Sequence, residues 1–169
     1  MIDTTQNRFK CILFSADMVD YTSFCSRTPS SELKAVLNKL YSFIDIMLYD
    51  VEGYRIALMG DCYQYFLDIN DDIGLKEAIS ANEIAERLLY TLENSECFLK
   101  YGIKMRIGLH IGEINLSKYD NNFGKKYYFH SDDLDIAKKL GQTCMVGSIN
   151  RSEAIKKLID YGMMNGFSE

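Results

Sequence analysis

Hydrophobic and polar positions alternate along the chain in short blocks whose period switches between that of a strand and that of a helix. Residues 9–16 form a mostly apolar run of strand length, and this predicted buried strand stops on Asp17 within the segment LFSADMVDYTSF. Thr28-Pro29-Ser30-Ser31-Glu32 then supplies a hydroxyl cap followed by proline in the first turn, which predicts a helix start. Leu33, Val36, Leu37, Leu40, Ile44, Met47, Leu48 and Val51 recur at helical spacing, so this helix packs one face on the core and ends near Gly53. Residues 55–59 and 62–67 are strand-like and separated only by Gly60-Asp61, a strong hairpin signal because these residue types suit a turn with positive φ.

Residues 71–99 carry a second helical pattern, with Ile79, Ile84, Leu88, Leu89 and Leu92 inward. Residues 103–111 read as a strand that Gly112-Glu113 turns towards a short continuation over 114–116. After that come an extended piece running into a helix over 127–140, a short apolar strand over 144–148 and a last helix over 152–161. The tight antiparallel hairpin in the middle argues against a doubly wound sheet. The expected class is α+β: a ferredoxin-like βαββαβ core, its antiparallel-rich sheet packed with long helices on one face.

Length and composition narrow the picture further. The 169 residues make one domain, 1–169, and 47% hydrophobic residues with a single proline exclude a disordered chain. A net charge of −5 argues against long nucleic acid or an anionic membrane surface as the main partner. No apolar segment approaches bilayer-spanning length, the polar N-terminus has no signal-peptide core, and the five cysteines lack C-x-x-C spacing. Reduced thiols and a cytoplasmic location are expected.

The chemistry centres on two aspartates. In a ferredoxin-like sheet the end of the first strand and the turn of the central hairpin are neighbours, which brings Asp17 and Asp61 together. Two carboxylates brought together without a basic partner repel, and one pKa rises unless a divalent cation neutralises them. Asp17 as a strand terminator and Asp61 as an ordinary Gly-Asp turn residue are the plainer readings. With both in fitting places, a cation clamp for two Mg²⁺ or Mn²⁺ ions explains them better, since such ions need few carboxylates and leave positions open for phosphates.

Other features carry less. His110 in RIGLHIG reads as a hydrogen-bonded core residue, His130 lies nearer the proposed site, and Asp20 reads as a turn cap. Neither a G-x-x-x-x-G-K-[ST] loop nor a G-x-G-x-x-G is present.

Four segments, SADMVDYT (15–22), MGDCY (59–63), RIGLHIGEI (106–114) and the weaker SDDLDIAKKL (131–140), together resemble class III nucleotide cyclases, the adenylate/guanylate cyclase catalytic domain, in order and spacing. The resemblance covers nearly the whole chain. It implies metal ligation by Asp17, Asp61 and the backbone carbonyl of Met18, and a head-to-tail homodimer with composite sites whose lone subunit is inactive.

Departures from the family pattern are equally informative. Ala57 stands where the family has a base-reading lysine, and Tyr128 falls on the second base-reading position. Asp135 and Lys139 replace an asparagine that orients the ribose and an arginine that stabilises the transition state. Lysine keeps the charge but lacks the planar fork. The late phosphate-binding lysine is missing, with Lys125, Lys126 and Lys138 as substitutes or simply a solvated surface. Tyr128 either stacks on a pyrimidine ring or packs on its strand neighbour.

The pattern is similar to the stand-alone cyclases of bacterial antiphage (Pycsar) systems, which make cyclic CMP or cyclic UMP. The expected function is therefore metal-dependent cyclisation of a nucleoside triphosphate, preferably UTP or CTP, to a 3′,5′-cyclic monophosphate and pyrophosphate. A separate effector would sense the product. The alternatives are a degenerate nucleotide-binding or dimerisation module and a palm-type synthase of cyclic oligonucleotides.

Overall fold

The computed structural model describes residues 7–71, 73–121 and 124–166. Its elements are, in order, β1 (Arg8–Met18), α1 (Tyr21–Arg27), α2 (Ser30–Asp50), β2 (Tyr54–Met59), β3 (Cys62–Asp68), α3 (Leu75–Asn94), α4 (Glu96–Leu99), β4 (Met105–Asn121), β5 (Gly124–His130), α5 (Asp132–Thr143), β6 (Ile149–Arg151) and α6 (Glu153–Met164). Five strands lie in the order β2-β3-β1-β4-β5 with every neighbouring pair antiparallel, and β6 pairs in parallel with β4. The expected α+β class and the central hairpin are what the chain adopts.

Two apolar clusters explain the arrangement. Ile12, Phe14 and Ala16 of β1, Tyr63 and Tyr65 of β3, and Ile107 and Leu109 of β4 pack against Leu40 and Ile44 of α2, Ala81 and Leu88 of α3, and Ile155 of α6. The alternate residues Cys11 and Leu13 join Phe66, Ile114 and Leu116 beneath Leu134 and Ala137 of α5. β1 is thus buried on both faces, which is why residues 9–16 read as continuously apolar. Burying a Leu, Ile or Phe side chain in either layer contributes about 1.5–3 kcal/mol.

The expected long helices, α2 and α3, share one face, and the shorter α5 covers part of the other. Glycines permit its close approach. A Cβ at Gly108 would lie 1.9 Å from the Ala137 carbonyl oxygen, and one at Gly112 would lie 2.5 Å from the Asp133 carboxylate. Gly112-Glu113 is accordingly no turn, and β4 runs through it without a break.

Other boundaries also move. The single helix expected over 71–99 is two, because Ser95 adopts an extended backbone (φ −91°, ψ 118°) between α3 and α4. Residues 144–148 are turns joined by Cys144 N–H to the Gly141 carbonyl and Ser148 N–H to the Met145 carbonyl, so the strand begins at Ile149. A short helix that the pattern did not announce, α1, follows directly on β1.

Candidate active site

β1 reaches its end between β3 and β4, with Asp17 opposite Cys62 on one side and Arg106 on the other. The Met18 amide donates to the Asp61 carbonyl at 2.8 Å, joining the strand end to the hairpin turn. Asp20 then reverses the chain with a left-handed backbone (φ 55°), and its carbonyl accepts from the Phe24 amide. Its side chain makes no cap hydrogen bond, so Asp20 shapes the turn through its backbone alone.

The hairpin turn is held from α2. Gly60 has φ +60°, and the Tyr41 hydroxyl of α2 donates to its carbonyl at 2.6 Å. The Tyr21 ring of α1 sits 3.5 Å from where a Gly60 Cβ would be. Burial pushes the Tyr41 phenol up to about 12, so it stays a donor at neutral pH. Asp61 is thus presented on a turn braced from α2.

A cleft of about 660 Å³ opens here, lined by Asp17, Met18, Asp61, Arg106, Gln142 and Thr22 among others. Asp17 is buried at 7% exposure, whereas Asp61 is exposed to solvent.

Asp17 does have a basic partner, contrary to the expectation that the two carboxylates meet without one. Arg106 Nη2 donates to Asp17 Oδ2 at 2.8 Å, and Nη1 donates to the Gln142 carbonyl at the end of α5 at 3.0 Å. Arg106 Nε is buried and finds no partner among the described residues. In the sequence this arginine stands only as the first residue of RIGLHIGEI. The signal that it faces Asp17 is the β1–β4 register, which no sequence pattern states.

The donor set suits a hard cation. Among the described residues no three His, Cys, Asp or Glu side chains converge to hold an ion by themselves. Asp17, Met18 and Asp61 line one cleft, a set that would suit an ion completing its shell with water and phosphate oxygens.

The remaining expected residues lie elsewhere in this chain. Ala57 is on β2 opposite the buried Gln64, just past a strand irregularity. Tyr128 is 55% exposed, its ring 5.6 Å from that of His130, in a separate shallow cleft with Asn115, Ser117 and Lys118. His130 Nε2 is hydrogen-bonded to the Ser117 hydroxyl at 2.8 Å. Asp135 and Lys139 are on the exposed side of α5, away from its buried Leu134, Ala137 and Gly141.

Of the candidate lysines, Lys138 is partly buried near Cys62, whose thiol is pushed up by burial and eased down by the Ser15 hydroxyl and by Lys138. Lys126 is exposed, and the Lys125 side chain lies outside the described residues. His110 is partly buried, and burial lowers its pKa.

Residues 4–168 match the family model described as the adenylate and guanylate cyclase catalytic domain. Atrial natriuretic peptide receptor 2 of Anguilla japonica is 23% identical over 153 residues, 88% of this chain and 14% of the receptor. Adenylate cyclase type 9 of Gallus gallus is 27% identical over 157 residues, 92% of this chain and 12% of that protein. The chain therefore spans only about one-seventh to one-eighth of these curated relatives.

Among solved structures, the guanylate cyclase domain of RhGC from Catenaria anguillulae in complex with GTP superposes with a TM-score of 0.78 at 21% identity, covering 91% of this chain and 84% of that one. The adenylyl cyclase CyaB from P. aeruginosa gives a TM-score of 0.79 at 18% identity, covering 91% and 82%. The fold is shared with both. With nearly its full length matched, the chain belongs to the adenylate and guanylate cyclase catalytic domain family.

Proposed function

We propose that residues 1–169 act as one metal-dependent nucleotide cyclase domain that converts a nucleoside triphosphate to a 3′,5′-cyclic monophosphate and pyrophosphate. One observation carries this reading: Asp17 and Asp61 share a cleft, one hydrogen bond apart through the Met18 amide, with the Met18 residue between them. The two aspartates and the Met18 carbonyl would hold two Mg²⁺ or Mn²⁺ ions. Bound there, such ions supply Lewis acidity for attack of a 3′-hydroxyl on the α-phosphate and for departure of pyrophosphate.

The protein's own part is positioning. The Tyr41 hydroxyl fixes the turn that carries Asp61, and the paired strands fix Asp17. Thr22 and Arg106 line the cleft where a triphosphate enters.

The site is completed by a second copy of the chain. Asp135 and Lys139 do not line the Asp17 cleft of their own subunit, yet they sit exposed on α5, available to a partner. One similar solved structure, at 23% identity and a TM-score of 0.78, is a non-canonical dimeric guanylyl cyclase domain of RhoGC from Blastocladiella emersonii, and another of the same protein is monomeric. A head-to-tail homodimer gives each composite cleft one subunit's aspartates and the other's α5.

A pyrimidine triphosphate, UTP or CTP, is the preferred substrate. Ala57 offers no charged group to read a purine, and Tyr128 offers a face for stacking and one hydroxyl. The product then serves as a second messenger in antiviral defence, read by a separate effector. Five free cysteines suit the reducing cytoplasm. No helix among the described residues is long and apolar enough to cross a membrane.

Incubating the purified protein with each of the four NTPs and Mn²⁺ tests the reading. A cyclic mononucleotide is expected, most abundant from UTP or CTP. Absence of product from all four rejects catalysis and favours the second reading, a nucleotide-binding module, which the exposed Asp135 and Lys139 in place of asparagine and arginine would suit.

A further inference from the structure

Arg106 and Asp17 form the most sequestered ion pair among those of the described residues, with side-chain exposures of 27% and 11%. Partly buried, such a pair is screened less than a surface pair. The guanidinium cannot shed its proton to relieve crowding. A divalent ion arriving on Asp17 therefore meets a fixed positive charge already hydrogen-bonded to the same carboxylate.

We infer that Arg106 is the resident counter-cation of Asp17, that it competes with the divalent ion for this carboxylate, and that a polyanionic nucleotide relieves the competition by drawing the guanidinium off. The inference rests on the metal reading above and adds an order to it: metal binds weakly to the free protein and tightly once a triphosphate is present.

Three features make Arg106 able to do this. It lines the same cleft as Asp61 and Thr22, so a triphosphate held there lies within the guanidinium's surroundings. Its other anchor, the Gln142 carbonyl, is a neutral acceptor at a helix end rather than a second carboxylate. Its Nε has no partner among the described residues, so part of the fork is unused in the resting arrangement. Phosphate oxygens match that fork in geometry and charge. Arg106 is thus a positioning residue that acts on the metal through Asp17.

The test is Mn²⁺ binding to the purified protein without nucleotide, followed by electron paramagnetic resonance. Arg106→Met keeps much of the bulk and removes the charge, and is expected to tighten Mn²⁺ binding on the order of tenfold. Arg106→Lys keeps a positive charge and is expected to bind no tighter than wild type. Asp17→Asn serves as the control for the metal reading and should lose binding.

Loss of binding in Asp17→Asn together with no tightening in Arg106→Met overturns the competition alone. Unchanged binding in Asp17→Asn, or binding by no variant, overturns the metal reading and the competition with it. Should Arg106→Met fail to fold, the Arg106 Nε–H resonance of the unmutated protein answers the same question. It should shift as Mg²⁺ is added without nucleotide, and a resonance that stays put through saturation overturns the inference.

Discussion

The Met18 amide and the Asp61 carbonyl lie 2.8 Å apart, so the two aspartates are joined through the backbone and not through their carboxylates. Their side chains are consequently free to differ in environment: Asp17 is buried against Arg106, and Asp61 is exposed. Asp61→Asn should leave stability within about 0.5 kcal/mol of wild type. Asp17→Asn, which deprives a sequestered guanidinium of its counter-ion, should cost about 1–3 kcal/mol. Urea melts of the two variants measure the difference, and equal costs would contradict the assigned pairing.

Tyr41→Phe removes the hydroxyl that braces the Gly60 carbonyl and nothing else. A loss of about 0.5–1.5 kcal/mol in stability is expected. Because the brace holds the turn that presents Asp61, Mn²⁺ affinity should weaken too. A purely structural hydroxyl would lower stability and leave metal affinity where it was.

Gly108→Ala should destabilise by about 1–3 kcal/mol or more, since the added methyl meets the backbone of α5 at Ala137 and Gly141, which cannot rotate aside. The opposite outcome, a well-folded variant by thermal melt, would mean that α5 does not pack on β4 this closely.

His110 makes stability depend on pH. Burial holds its pKa below the ordinary 6.5, more than Asp133 raises it, so the folded state binds its proton less readily than the unfolded chain. As pH falls below 6.5 the unfolded chain takes up that proton first, and the stability present above 6.5 is progressively lost. Melts at pH 7.5 and 5.5 should show a larger acid loss for wild type than for His110→Leu. Equal losses would remove His110 from the explanation.

Composite sites predict complementation. Asp61→Asn and Lys139→Ala, each inactive alone, should regain activity when mixed, because half of the dimers carry one intact cleft and give about a quarter of wild-type turnover. Mixtures as inactive as their components would place both residues in one subunit's site.

Much of this architecture was legible in the sequence. α2 announced itself by eight apolar residues at helical spacing, and the β2–β3 hairpin by Gly60-Asp61 between two strand runs. α1 was not legible, because its seven residues YTSFCSR bury only Phe24 and carry no period. Gly112 misled because a glycine inside a strand reads as a turn, whereas here it makes room for the Asp133 carboxylate, which also accepts from the Glu113 amide. Arg106 was missed for a different reason: a cross-strand partner is fixed by register, and register between β1 and β4 is a property of the folded sheet. Asp17 and Asp61 could be paired from sequence because both mark strand ends, where a topology guess places them without any register.

The central claim, that Asp17 and Asp61 together hold the metal used in cyclisation, is tested most directly by Mn²⁺ titration in the presence of a non-hydrolysable triphosphate, followed by electron paramagnetic resonance. Wild type should bind, and Asp61→Asn should bind at least about tenfold more weakly. Equal Mn²⁺ affinity in the two proteins would contradict the account.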